Sequence, residues 1–247
     1  MPPVAILPAA DPTHPARRVP GPQFRPQICC HTGQVASVQI FAPDHLGGDA
    51  DALLRLGLRQ LKRWDDAGLN VPCIAIQLPL DVACSAPLAL PLIWEIDRQG
   101  VEARRVIFTA PDDRRRDHGL GGLTLLGRHG CGVELSCLDP DGLNLLDDQP
   151  VVARLRIPQG ALRDCHLDPG RGQVVLSLLA LAERHDLPTI ALGVRSRDEH
   201  GFLAQLGCSV VQGDAVAPLL DVDGATNFLR EHAKPQFRHL LQPRPAA

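Results

Sequence analysis

Short apolar runs alternate along the chain with stretches in which leucine and alanine recur every three or four residues. After an opening hairpin, Leu53, Leu54, Leu58, Leu61 and Trp64 share one helical face, with Asp49 or Asp51 placed to cap it and a stop near Gly68. Within the run Val71 to Leu80, Cys73-Ile74-Ala75-Ile76-Gln77-Leu78 reads as a strand buried on both faces. A helix is expected from about Ala86 to Gln99, ending at Gly100, then a strand at Arg105 to Thr109. A helix from Asp112-Asp113 toward His129, strands at Gly132 to Ser136 and Val151 to Ile157, and an apolar helix from Gln173 to His185 follow. The chain closes with a strand at Thr189 to Leu192, a helix from Arg197 to Leu206, a strand at Ser209 to Val211 and a helix from Val222 to His232. Strands alternating with helices argue for a parallel sheet, and about eight of them argue for a closed (β/α)8 barrel.

Composition narrows this picture. At 247 residues the chain accommodates one such barrel, and with 45% hydrophobic residues, 3% aromatics and no Tyr, its core must be Leu, Val, Ile and Ala. The net charge of −3, both signs interspersed, gives no case for a nucleic-acid partner. No apolar run reaches membrane-spanning length. Residues 1–21, rich in Pro and Ala and carrying Arg17 and Arg18, are expected to form a disordered tail, as are residues 234–247. That leaves residues 22–233 as the single folded domain. None of the eight cysteines forms a C-x-x-C pair and no histidine joins them at zinc-ligand spacing. The expectation is a cytosolic protein with reduced, mostly buried thiols and neither metal nor cofactor. Cys165-His166 is a weak nucleophile–base signal, since adjacent residues seldom face each other.

Several segments, taken in order, resemble a known family. Phe24-Arg25-Pro26-Gln27, a turn at Thr32-Gly33 and a strand ending Gln39-Ile40-Phe41 are similar to the opening of EAL domains, the phosphodiesterases that linearise cyclic di-GMP. Arg59-Gln60-Leu61-Lys62-Arg63-Trp64 with Ala67-Gly68-Leu69, then Ala191-Leu192-Gly193-Val194-Arg195, Leu206-Gly207-Cys208 and Val211-Gln212-Gly213 continue the likeness at family-like spacing. It runs from about Gln23 to Arg230 and implies a TIM-like α/β barrel whose first strand is antiparallel.

Phosphodiester hydrolysis in that family implies divalent metal ions on hard oxygen ligands at the strand ends. The resemblance places Gln39 at the signature Glu, Gln77 at the Asn of the next strand, and Ile107 and Ala110 at the two acids of Glu-x-Thr-Glu. It places Ser136 and Cys137 at the paired Asp, Arg156 at the Lys, and Leu192 at the later Glu; only Gln212 matches outright. No catalytic residue and no metal ligand is therefore expected, and the resemblance implies a pseudo-enzyme. Asp112, Asp113, Asp139 and Asp141, on loops past these strand ends, are the acids through which a slipped alignment would restore activity.

The leading expectation is a regulatory, protein-binding module; the alternative is a non-catalytic cyclic di-GMP receptor using Arg25, Arg156 and Gln212. A receptor requires an open, basic mouth, whereas an adaptor requires an exposed apolar patch or a mouth closed by Phe41, Ile107 and Leu192. A homodimer is a further candidate. Strand alternation adds one inference: Glu134 shares the parity of Ser136, and Arg154 that of Arg156, so Glu134 either pairs with one of these arginines inside the barrel or sits at its rim.

Overall fold

The computed structural model describes residues 21–43, 48–109, 119–136 and 152–233. Both expected tails, Ala110, Cys137, the acids Asp112, Asp113, Asp139 and Asp141, and the start of the helix expected from Asp112 lie outside the described residues.

The described strands close in sequence order into a barrel: β1 (Gln23–Cys29), β2 (Val35–Phe41), β3 (Ile74–Gln77), β4 (Val106–Thr109), β5 (Gly132–Ser136), β6 (Val152–Ile157), β7 (Thr189–Leu192) and β8 (Val210–Gln212). β1 runs antiparallel to both neighbours, β2 and β8, and the other pairings are parallel. The α/β barrel with an antiparallel first strand is thus as expected. Around it lie α1 (Ala50–Asp66), α2 (Leu80–Cys84), α3 (Ala86–Gln99), α4 (Gly121–Arg128), α5 (Gln159–Leu162), α6 (Pro169–Arg184), α7 (Arg197–Gln205) and α8 (Val222–His232).

Side-chain caps start half of these helices. Asp49 caps α1 by accepting from Ala52 N at 3.0 Å, and Asp221 caps α8 by accepting from Gly224 N at 2.8 Å. Buried Leu53, Leu54, Leu58, Leu61 and Trp64 then seat α1 on the sheet. Gly57 lets it come close, since a Cβ there would lie 2.6 Å from Ile40 Cδ1. Trp64 packs edge-on against Phe24 and donates from Nε1 to Thr226 Oγ1 at 3.0 Å, tying α1 to β1 and α8.

Three expectations need correction. The strand expected over Cys73 to Leu78, in the run Val71 to Leu80, is only β3; Pro72 and Pro79 flank it without amide donors, and Leu80 opens α2. The helix expected from Gln173 begins at Pro169, because Asp168 accepts from Gly170 N at 2.8 Å and Arg171 N at 3.2 Å while Pro169 suits the first turn. The thiols are less buried than expected: among the described cysteines Cys131, Cys165 and Cys208 are buried, while Cys29, Cys30, Cys73 and Cys84 are half-buried; all are free.

The main apolar cluster lies between sheet and helices, built on Leu54, Leu58, Ile74, Ile76, Phe108 and Leu155, and a second surrounds Ile28, Val175, Leu203 and Val211. The alternate residues of the same strands point inward, and that interior is strongly polar.

Candidate functional site

Strand register fixes which residues line the barrel. Arg25 is opposite Gln39 and Gln27 opposite Ser37; Gln39 is level with Ala75, Gln77 with Thr109, Thr109 with Glu134, and Ser136 with Arg156. Leu192 is level with Gln212 on the final pair. Gln39, Gln77, Ser136, Arg156, Leu192 and Gln212 therefore sit on inward-facing positions toward the barrel's C-terminal end, where such barrels build their sites, and Ile107 faces inward deeper in the barrel, level with Gly132 at the start of β5. Gln39, Ile107, Ser136, Arg156 and Gln212 are buried there, Leu192 is half-buried, and Gln77 is exposed at the rim. Of the three residues expected to close an adaptor's mouth, Ile107 is buried and Phe41 and Leu192 are half-buried.

One hydrogen-bonded network crosses this interior. Arg154 donates from Nε to Glu134 Oε2 at 2.6 Å, from Nη1 to Ser37 Oγ at 3.1 Å and from Nη2 to Gln27 Oε1 at 2.7 Å. Gln27 Oε1 also accepts from Ser37 Oγ. Because a guanidinium only donates, Gln27 must turn its oxygen to Arg154 and its amide nitrogen away. That nitrogen donates to Gln212 Oε1 at 2.6 Å, and Gln212 Nε2 in turn donates to Gln39 Oε1 at 2.8 Å. The orientation of each amide thus follows from one arginine, through β6, β1, β8 and β2.

Glu134, 2% exposed, is the inward carboxylate of this network, with Arg156 Nε 3.6 Å from its second oxygen. Pairing inside the barrel, rather than a place at the rim, is what the structure shows. Arg25 is engaged at the rim, donating from Nη2 to Asp214 at 3.0 Å, while its Nε is buried without a hydrogen-bond partner. Arg25, Arg156 and Gln212 lie at the same end of the barrel, but Gln212 is committed to Gln27 and Gln39.

Gln27 and Ser37, absent from the expected set of site residues, hold the network together with Arg154. Their signal was present: Gln27 shares the parity of Arg25, and Ser37 that of Gln39.

Among the described residues, the donor set does not fit a divalent metal ion of the hard, oxygen-seeking kind. Such an ion requires carboxylates at the strand ends, and Glu134 is held by two guanidiniums that would repel a cation. Among the described residues, no group of three or more His, Cys, Asp or Glu is placed to hold a metal. Cys165-His166 forms no activated pair either. Burial, with the Glu199 carboxylate adding to it, pushes the Cys165 thiol up, away from the reactive thiolate. Glu199 is itself occupied, accepting from Arg195 N at 2.7 Å and Asp164 N at 3.1 Å, which ties the loops after β6 and β7 together. No helix among the described residues is long and apolar enough to cross a membrane.

Comparison with solved structures agrees with this architecture. The fold is similar to the EAL domain of Mycobacterium smegmatis DcpA, with a TM-score of 0.76 and 20% identity over 87% of this chain and 99% of that one. It is similar to the PaMucR phosphodiesterase in its c-di-GMP complex, with a TM-score of 0.71 and 21% identity over 82% of this chain and 92% of that one. It also resembles the Xanthomonas citri FimX EAL domain in complex with c-di-GMP, with a TM-score of 0.70 and 16% identity over 81% and 87% of the two chains. No curated protein sequence gives a significant match. The family profile described as "EAL domain" matches residues 45–218, well over half of the sequence. With that match and the closed barrel whose first strand is antiparallel, the chain belongs to the EAL domain family.

Proposed function

We propose that this EAL domain is catalytically inactive and works as a cytosolic regulatory module that binds another protein. The observation that carries the first part is the filled interior. At the strand ends where hydrolysis calls for carboxylates around metal ions, the described chain places amides, hydroxyls and the Arg154–Glu134–Arg156 cluster. The correspondence of Gln39, Gln77, Ile107, Ser136, Arg156 and Leu192 to acids and polar ligands of active members belongs to this proposal. For Gln39 it rests on strand position, since the matched stretch begins at residue 45. The assignment to protein binding rests on analogy within the family.

Incubation of the purified full chain with cyclic di-GMP and Mn²⁺ or Mg²⁺ is expected to release no linear dinucleotide above the protein-free control. Turnover within the ordinary enzyme range, about 1 per second or faster, would overturn the reading. It would assign the metal site to the acids at 112, 113, 139 and 141.

A second reading, a cyclic di-GMP receptor, is favoured by the guanidiniums of Arg25 and Arg156 at the mouth, groups suited to a phosphodiester. Against it stand the pairing of Arg25 with Asp214 and the commitment of Gln212 to neighbouring amides. A homodimer is compatible with either reading.

A further inference from the structure

The barrel closes on its shortest strand pairing. β1 and β8 are matched through Ile28 with Val211 and Cys29 with Val210, fewer positions than any other pair of neighbouring strands. One further backbone bond, from Cys30 N to Ser209 O at 2.9 Å, carries the ladder beyond those pairs. It brings two cysteines together. Cys30 lies opposite Ser209, so Cys208 is the next residue along the facing chain, and the two thiols are hydrogen-bonded to each other. Cys30 packs, half-buried, against the apolar cluster of Ile28, Leu203 and Val211, in which Cys208 is buried.

Adjacent strands run about 5 Å apart, inside the Cα separation of roughly 4.4–6.8 Å that a disulfide spans. The neighbouring Cys29 does not share this position. Alternation gives Cys29 the inward parity of Gln27, and gives Cys30 the parity of Ile28, toward the outer cluster. The pair is also chemically unequal. The hydrogen bond with Cys208, together with burial, pushes the Cys30 thiol up. The hydrogen bond from Cys30, helped by Thr189 Oγ1 at 3.6 Å and opposed by burial, holds Cys208 below the ordinary thiol range. Cys208 is thus the better nucleophile, and Cys30 is the sulfur that a reagent from solvent meets first.

We propose that Cys30 and Cys208 form a reversible disulfide that staples β1 to β8, so that closure of the barrel responds to the thiol–disulfide balance around it. The co-reactant is a small disulfide of the glutathione kind. Cys30 loses its proton to solvent and attacks one sulfur of that disulfide, whose S–S bond breaks and releases one small thiolate. The Cys208 thiolate then attacks the Cys30 sulfur; the internal disulfide forms and the second small thiolate leaves. The protein is oxidised by two electrons, and the small disulfide is reduced to two thiols, which take up the two protons the cysteines lost. In a reducing compartment such a bond acts as a sensor, because the surrounding thiol pool breaks it again. β1 and β8 also carry Gln27 and Gln212, whose amide bond crosses the interior, so the staple stiffens the two strands that position them. It stands whether or not the barrel hydrolyses anything.

The test equilibrates the purified full chain with oxidised glutathione or with dithiothreitol, then measures its thermal midpoint and maps its disulfides by alkylation, digestion and mass spectrometry. The expected result is a peptide pair joined through Cys30 and Cys208. The midpoint of the oxidised chain is expected to be roughly 10 °C higher, since the bond closes residues 30 to 208 into one long loop. Cys29→Ser is expected to keep both the bond and the shift, and Cys30→Ser to lose both. The bond is read on the unsubstituted chain, so the result does not depend on how well a variant folds. Glutathione left on Cys30 with no internal bond would overturn the proposal, as would a bond from Cys30 to any other cysteine. A Cys30–Cys208 bond that leaves the midpoint unchanged would overturn the staple.

Discussion

Replacing Glu134 with alanine is expected to destabilise the protein by about 3–5 kcal/mol, read as a lower urea midpoint. The carboxylate is buried and carries the negative charge facing Arg154 and Arg156; removing it leaves two guanidiniums close together in a low-dielectric interior. The pair is not for that reason a large net source of stability, because ordering and desolvating both ions offsets much of their attraction. A Glu134→Leu, Arg154→Met double variant, which removes charges of both signs, is therefore expected to be markedly more stable than Glu134→Ala alone. If Glu134→Ala shifted stability by less than about 1 kcal/mol, the value of a surface pair, the buried network would not be the organising feature of this barrel.

Gly213→Ala is expected to cost a comparable amount, about 3–5 kcal/mol, from steric overlap and backbone strain together. Gly213 sits at φ +153°, and a Cβ there would fall 2.1 Å from Val194 O and 2.3 Å from Val194 N. That crowding is the consequence of a clasp between the last two strands. Gly193 N and Val194 N both donate to Gln212 O, at 2.7 and 3.0 Å, and Val194 O accepts from Ala215 N at 3.0 Å. The clasp fixes Leu192 and Gln212 at the mouth, so the alanine variant is also expected to disturb the Gln27–Gln212–Gln39 chain. Denaturant unfolding measures the cost, and an unchanged midpoint would mean the loop after β7 can move aside freely.

The parts of the fold legible in the sequence are those with strong local signals. The helix from Val222 to His232 has an Asp cap and an amphipathic face, and it forms over those residues. Short elements were missed because a turn of helix such as α5 carries too few residues for a period to show. The start of α6 was missed because Pro169-Gly170-Arg171-Gly172 has the composition of a turn, while the Asp168 side chain supplies the cap that makes it helix.

The site divides in the same way. Parity turned Arg154 and Arg156 inward and left Glu134 between a pair inside the barrel and a place at its rim. It could not show that Arg154 reaches across to Gln27 and Ser37, since that contact exists only once β1 closes the ring. Gln77, which alternation also turns inward, is exposed because it is the last residue of β3, at the rim.

This barrel keeps the frame of its family, and its proposed inactivity rests on an interior closed by its own side chains. Calorimetric titration of the full chain with cyclic di-GMP, with and without Mg²⁺, tests it most directly. No binding heat is expected under either condition. Tight binding without metal would contradict it in favour of a receptor reading through Arg25 and Arg156, and binding that requires Mg²⁺ would contradict it at its root, by showing that a working metal site survives.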